Sequence, residues 1–217
     1  MEKYNDCCVV SVAFREPYVT HSNRQYDIIK KDSPNINFSL FIDRLPYAEG
    51  MEHENVVGRF QKSLYGFKPH TIQKVIHEYS YKKIIWFDPS VLPVTSVKVL
   101  FDSLDDHPMI VRTGDSPLGK MCNEKSKKWF GVTDEDIKDV KHIGGTIYGF
   151  NFNNEKVREV FELWKRAEEC GIFGDQDEFM KGSHWCDESC MALAMYKIGI
   201  PQYWESKFEY LNQKDLA

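Results

Sequence analysis

Apolar residues fall along this chain in short unbroken runs, separated by polar stretches with helical spacing. The most concentrated run lies within residues 82–93 (KKIIWFDPSVLP), where Ile84, Ile85, Trp86 and Phe87 stop abruptly at Asp88. Such a run suits a strand buried on both faces, as in a parallel sheet. Residues 7–14 (CCVVSVAF) predict a first strand, broken by Pro17. Thr20 and Ser22 are candidate caps for a following helix, and residues 30–36 read as a polar turn. Residues 38–43 (FSLFID) predict a second strand, and residues 47–59, rich in Glu, His and Gly, a surface excursion. Pro69 fits a first helical position, and Ile72, Val75, Ile76 and Tyr79 follow as one apolar stripe.

Beyond the central run the pattern predicts a helix over 96–104, a strand over 109–113 and a strand over 144–152 entered through Gly144 and Gly145. Val157, Val160, Phe161 and Trp164 mark one face of a helix over 154–170, ending at Gly171. Residues 182–189 lead into a last helix carrying Met191, Met195 and Ile198, and Tyr203 and Trp204 belong to a closing strand or arm. Residues 114–142 are charged and poor in apolar positions apart from Trp129 and Phe130, which predicts a functional lid or mobile segment. Helices feeding buried strands indicate an α/β fold, with a mostly parallel central sheet flanked by helices. Without repeats or a linker, residues 1–217 read as one domain.

Composition narrows the function. Of 217 residues, 42% are hydrophobic and 28% charged, enough for a real core, and the net charge of −5 argues against nonspecific nucleic-acid binding. The six cysteines include no CxxC pair, which points to reduced thiols in a cytoplasmic setting. The beginning, MEKYNDCC, is neither a signal peptide nor a membrane span, and no 18-residue apolar run occurs, so no membrane anchor is expected in this chain. The ending, YLNQKDLA, carries no stop signal, and a fragment of a longer protein is one reading of it.

Three features carry candidate chemistry. Asp88 would lie beyond the carboxyl end of a buried strand, where open α/β sheets bind ligands. On extended backbone Ser90 would point the same way, and the two oxygens suit a divalent cation and a diphosphate, or merely cap a turn. Asp187 and Glu188 open the last helix. There the dipole should keep a carboxylate ionised, fit to be a nucleophile or to stabilise a positive transition state. Gly144 and Gly145, followed by Thr146, would allow a ligand close to the backbone; a bulge explains them equally.

The order of these elements resembles a GT-A-fold (Rossmann-like) glycosyltransferase, and the tail is more specific. Trp185-Cys186-Asp187-Glu188-Ser189, after a glycine-containing strand and a long helix, resembles the Trp-His-Asp-Glu-Ser motif of the retaining histo-blood-group and α-1,3-galactosyltransferase family. The likeness covers residues 9–204 in order of elements. More loosely, the chain is similar to the capsid-protein glycosyltransferases of large algal viruses, which would place a viral protein in the host-cell cytoplasm.

The resemblance implies a UDP-sugar donor, a glycan or glycoprotein acceptor, and Mn²⁺ or Mg²⁺. Phe14 and Tyr18 would border the uracil, while Lys68 and Arg15 would face the diphosphate. Asp88 would be the first carboxylate of a DxD-like motif, and Gly145 and Thr146 would line the donor sugar. Glu188 would face the anomeric carbon and Asp187 would bind sugar hydroxyls. Ser90 stands at the second DxD position, so the metal would be weakly held or dispensable. Cys186 replaces the motif's His, leaving His184 as the acceptor-side candidate. Two other readings stay open: a non-catalytic nucleotide-sugar-binding module of the same fold, and a haloacid-dehalogenase-type phosphohydrolase. The latter needs an acid where Ser90 stands.

Overall fold

The computed structural model describes residues 3–14, 16–42, 63–175, 177, 184 and 186–216. The surface excursion expected over 47–59 and the candidate Arg15 lie outside these residues, as does Trp185. Strand β1 (Cys7–Ala13) is buried along its whole length, followed by α1 (Tyr18–Asp32) and β2 (Asn37–Ile42). Next come α2 (Phe67–Tyr79), β3 (Lys83–Phe87), the short β4 (Val91–Pro93), α3 (Lys98–Asp106) and β5 (Met109–Pro117). After them lie α4 (Glu124–Phe130), β6 (Lys141–Asn151), α5 (Glu155–Glu169), α6 (Cys186–Ile198) and β7 (Tyr210–Asn212).

Five strands form the main sheet in the order β2-β1-β3-β6-β5. β1 pairs in parallel with β2 and β3, while β6 runs antiparallel to both β3 and β5. Four strands therefore share one direction and β6 alone opposes them. β3 is central, and Ile84, Ile85, Trp86 and Phe87 are all fully buried. Their alternation divides the core. Ile84 and Trp86 pack with α2, α5 and α6, while Ile85 and Phe87 face Ile29 of α1 and Leu100, Phe101 and Leu104 of α3. The result is an α/β sheet with helices on both faces, as the sequence pattern predicts.

Local chemistry sets several boundaries. Asn154 caps α5 by accepting from Lys156 N at 2.9 Å, and Gly171 just past its end takes φ +68°, the left-handed conformation glycine adopts without strain. Thr20 and Ser22, expected as caps, instead lie inside α1, which starts directly after Pro17; Thr20 Oγ1 donates back to Glu16 at 2.9 Å. The same helix absorbs the front of the turn expected over 30–36. The C-terminal arm adds β7 to β4 as a two-stranded antiparallel sheet.

The lid expected over 114–142 is a misreading. β5 runs on to Pro117, α4 and a 3-10 turn (Leu118–Met121) follow, and Leu118, Cys122, Phe130, Val132 and Ile137 are all buried in the core. The charged residues alternate with widely spaced apolar anchors, a density too low to register as periodicity in a short window. Leu118→Ala should therefore lower unfolding free energy by about 2–5 kcal/mol in urea titration, whereas a lid residue would leave it unchanged.

Candidate active site

At the carboxyl end of β3 the chain turns sharply. Asp88 O accepts from Val91 N at 3.0 Å, and Asp88 N donates to Thr146 O at 2.8 Å, continuing the ladder to β6. Residues 88–90 are thus a turn with Pro89 in a position that its fixed φ favours, rather than the extended segment the sequence suggests. Asp88 and Ser90 nevertheless line the same cleft, about 110 Å³ in volume. Four aromatic rings line it as well, Phe14 and Tyr18 from the β1–α1 region and Tyr65 and Phe67 at the start of α2, beside the aliphatic Val12, Ala13 and Pro89. Lys214 closes one side, its ammonium 5.5 Å from the centre of the Tyr18 ring.

Behind Asp88 lies a buried charge cluster. Lys68, 2% exposed, donates to Asp187 Oδ2 at 2.8 Å and to Gly145 O at 2.9 Å, and stands 3.6 Å from Asp88 Oδ1. The rings of Tyr65, Tyr148 and Trp86 surround the ammonium at 4.8, 5.5 and 5.8 Å. Burial alone would lower the Lys68 pKa; Asp187 and Asp88 outweigh it and raise it, so the amine stays charged. Burial pushes the Asp187 carboxyl up against the pull of Lys68. Tyr148 OH also donates to Asp187, at 3.1 Å, and Trp86 Nε1 donates to Asp88 Oδ1 at 2.9 Å.

Glu188, one residue along α6, turns toward β6. Its Oε1 accepts from Gly145 N at 2.6 Å, and its Oε2 lies 3.3 Å from His142 Nε2. A Cβ at Gly145 would sit 2.8 Å from Glu188 Cγ and 3.0 Å from Lys68 Nζ, so glycine is required for these two side chains to meet the strand. Burial, then the neighbouring Asp187, pushes the Glu188 carboxyl up to about 8. Burial pushes His142 down to about 4. The expectation that a helix N-terminus keeps Glu188 ionised is therefore corrected: desolvation and a like charge prevail over the dipole.

The described sequence candidates other than Thr146 and His184 fall into two groups. Asp88, Ser90, Phe14 and Tyr18 meet in the cleft, while Asp187, Glu188, Gly145 and Lys68 meet in the cluster, with Asp88 joining the two. Gly145 does not line open space, being covered by Glu188 and Lys68; Thr146 contributes its carbonyl to Asp88. Lys68 sits behind Asp88 rather than in the cleft. His184 is fully buried, 3.0 Å from Ile172 O, so it is not placed to meet an acceptor. Sequence reasoning missed His142, at the start of β6 just after a charged stretch, and Lys214, in a polar tail with no motif around it.

Among the described residues no group of three His, Cys, Asp or Glu side chains could hold a metal ion. Asp88 is a single carboxylate with one oxygen already taken by Trp86, and Ser90 adds only a hydroxyl. That donor set does not fit a tightly held Mn²⁺ or Mg²⁺.

No family model matches the chain, and no curated protein matches it in sequence. Solved structures match it in three dimensions. Mouse xyloside xylosyltransferase 1 in its apo form shares 9% identity, with 91% of this chain and 84% of that one covered, at a TM-score of 0.51. The galactosyltransferase LgtC, in complex with donor and acceptor sugar analogues, shares 13% over 81% of this chain and 69% of its own, at 0.42. A glycosyltransferase involved in the glycosylation of the major capsid of PBCV-1 shares 15% over 72% and 66%, at 0.39. At 9% identity the likeness to the xylosyltransferase is one of fold alone, and that fold is the GT-A fold.

Two outcomes test the cluster. Lys68→Met leaves Asp187 buried and unpaired and should remove about 3–5 kcal/mol of stability, read by urea titration. The second concerns pH. Glu188, raised from 4.5 to about 8, favours the folded state at low pH and loses that contribution as pH rises through 8. His142, lowered from 6.5 to about 4, gives the opposite slope between those values. The two oppose each other between about pH 4.5 and 6.5, and from there to about pH 8 the Glu188 slope is no longer opposed by His142. Stability should fall across that window in the parent protein, and Glu188→Gln should flatten the fall.

Proposed function

We propose that this chain is a glycosyltransferase that moves a sugar from a UDP-linked donor onto a glycan or glycoprotein acceptor, with retention, in the cytoplasm. The observation that carries the proposal is the continuity of two sites. A cleft walled by aromatic rings at the carboxyl end of β3 is joined through Asp88 and Lys68 to the paired acids at the start of α6. Open α/β sheets bind nucleotides at that edge, and the GT-A fold supports the same class of chemistry.

In this reading the uracil packs between Phe14 and Tyr18, whose π faces accept a flat base. The diphosphate lies over Asp88 and Ser90, where the exposed ammonium of Lys214 meets its charge. Lys68 does not reach the phosphates; it holds Asp187 and Asp88 in place behind the cleft, and Asp187, 1% exposed, is too buried to bind the sugar hydroxyls expected of it. Glu188, with 20% of its side chain exposed, faces the anomeric carbon, and its carboxylate form stabilises positive charge developing there. A divalent cation, where used, would need ligands beyond Asp88 and Ser90, and no step is routed through it.

The test is calorimetry with UDP, with and without Mn²⁺, followed by a UDP-release assay across a panel of donors. Lys214→Ala should weaken UDP about tenfold, as expected for one charge-assisted contact. Glu188→Gln should slow release at least about a hundredfold with UDP affinity unchanged. Full turnover in Glu188→Gln would defeat the assignment. UDP binding without release from any donor would indicate a binding module, and phosphate release from simple esters a phosphohydrolase.

A further inference from the structure

The proposed reaction asks for a carboxylate at Glu188, yet burial and the neighbouring Asp187 push that carboxyl up to about 8 and favour its neutral form below that pH. Among the described residues the proton has one adjacent destination of suitable chemistry. His142 projects from the start of β6, 7% exposed, with Nε2 3.3 Å from Glu188 Oε2. The other Glu188 oxygen is fixed by Gly145 N at 2.6 Å, so the carboxyl cannot rotate away without losing a backbone hydrogen bond.

We infer that His142 is the proton partner of Glu188: as the donor sugar binds, the proton on Glu188 Oε2 passes to His142 Nε2, and it returns when products leave. This rests on the transferase reading. The step balances. An acid and a neutral imidazole become a carboxylate and an imidazolium, the O–H bond breaks as the N–H bond forms, and the net charge of the pair stays zero. No other reactant enters. The Coulomb attraction of the charged pair across 3.3 Å offsets the burial that keeps each group neutral when alone.

The surrounding charges favour this over an exchange elsewhere. Asp187 beside Glu188 on α6 and Asp88 at the end of β3 both oppose a negative Glu188, and Lys68 of α2 favours it. Lys68 is already bound to Asp187 and Gly145 O and has no proton to gain. Arg112 on β5, paired in register with Gly144, is exposed and donates to the Tyr210 hydroxyl. His142 acts through Glu188 and touches no substrate, which makes it a positioning residue.

His142→Phe keeps the volume and cannot take a proton. Its UDP affinity and melting temperature should stay near those of the parent. Its turnover should match the parent at pH 9 and fall about thirtyfold below it at pH 6.5, following the titration of Glu188 near 8. Parallel pH profiles for parent and variant would overturn the inference. A second readout needs no donor. Long-range ¹⁵N spectra of the nucleotide-free protein, with the His142 signals identified by their loss in His142→Phe, should show a neutral ring protonated on Nδ1. Those signals should move in Glu188→Gln. A proton on Nε2, or signals indifferent to Glu188→Gln, would also overturn it. Expected spectra with no UDP release from any donor would sink the transferase reading and leave the proton pair standing.

Discussion

A single buried ammonium ties together the elements that meet at the carboxyl end of β3. Lys68 reaches from the first turn of α2 to Asp187 on α6, to the Gly145 carbonyl on β6 and toward Asp88 past β3. A charge taken out of water must be paired, so the four elements are fixed relative to one another by the need to satisfy one side chain. Replacing the whole cluster with apolar side chains could fold as well or better; removing one member strands the others. The arrangement therefore makes more sense as a device for placing acids at the sheet edge than as a source of stability.

Backbone geometry around the cluster bears this out. Tyr65, three residues before Lys68, has φ +63°, and Cys186, directly before Asp187, has φ +40°. Side chains other than glycine rarely occupy that region, and each instance carries strain that the surrounding packing must hold. Both lie immediately upstream of the residues that make the ion pair. Gly145 solves the converse problem, since its missing Cβ leaves the space that Glu188 and Lys68 share. Strained backbone on two sides and an emptied position on the third let an acid and a base meet within the core.

Most of the architecture was legible in the order of residues. Ile84 to Phe87 announced a strand covered on both faces, and the Val157, Val160, Phe161, Trp164 stripe announced a helix with one buried side. The Trp185 to Ser189 pentad directed attention to Asp187 and Glu188. The segment around Leu118 and Ile137 was not legible, because its few apolar anchors are spread among lysines and aspartates and gain meaning only against the strands they cover. His184 looked accessible for a similar reason: a polar residue near a motif gives no sign of the carbonyl that fixes it inside.

What the sequence alone determined is the set of groups available and the edge of the sheet where they would gather, since hydrophobic runs decide which strands are central and where they stop. Tertiary structure decided their states. Whether Glu188 carries a proton depends on how much water surrounds it and how near Asp187 stands, and no spacing along a chain encodes those quantities. That His142 lies beside Glu188 and Lys214 beside the cleft follows from the strand pairing and the path of the arm, which bring together residues far apart in the chain.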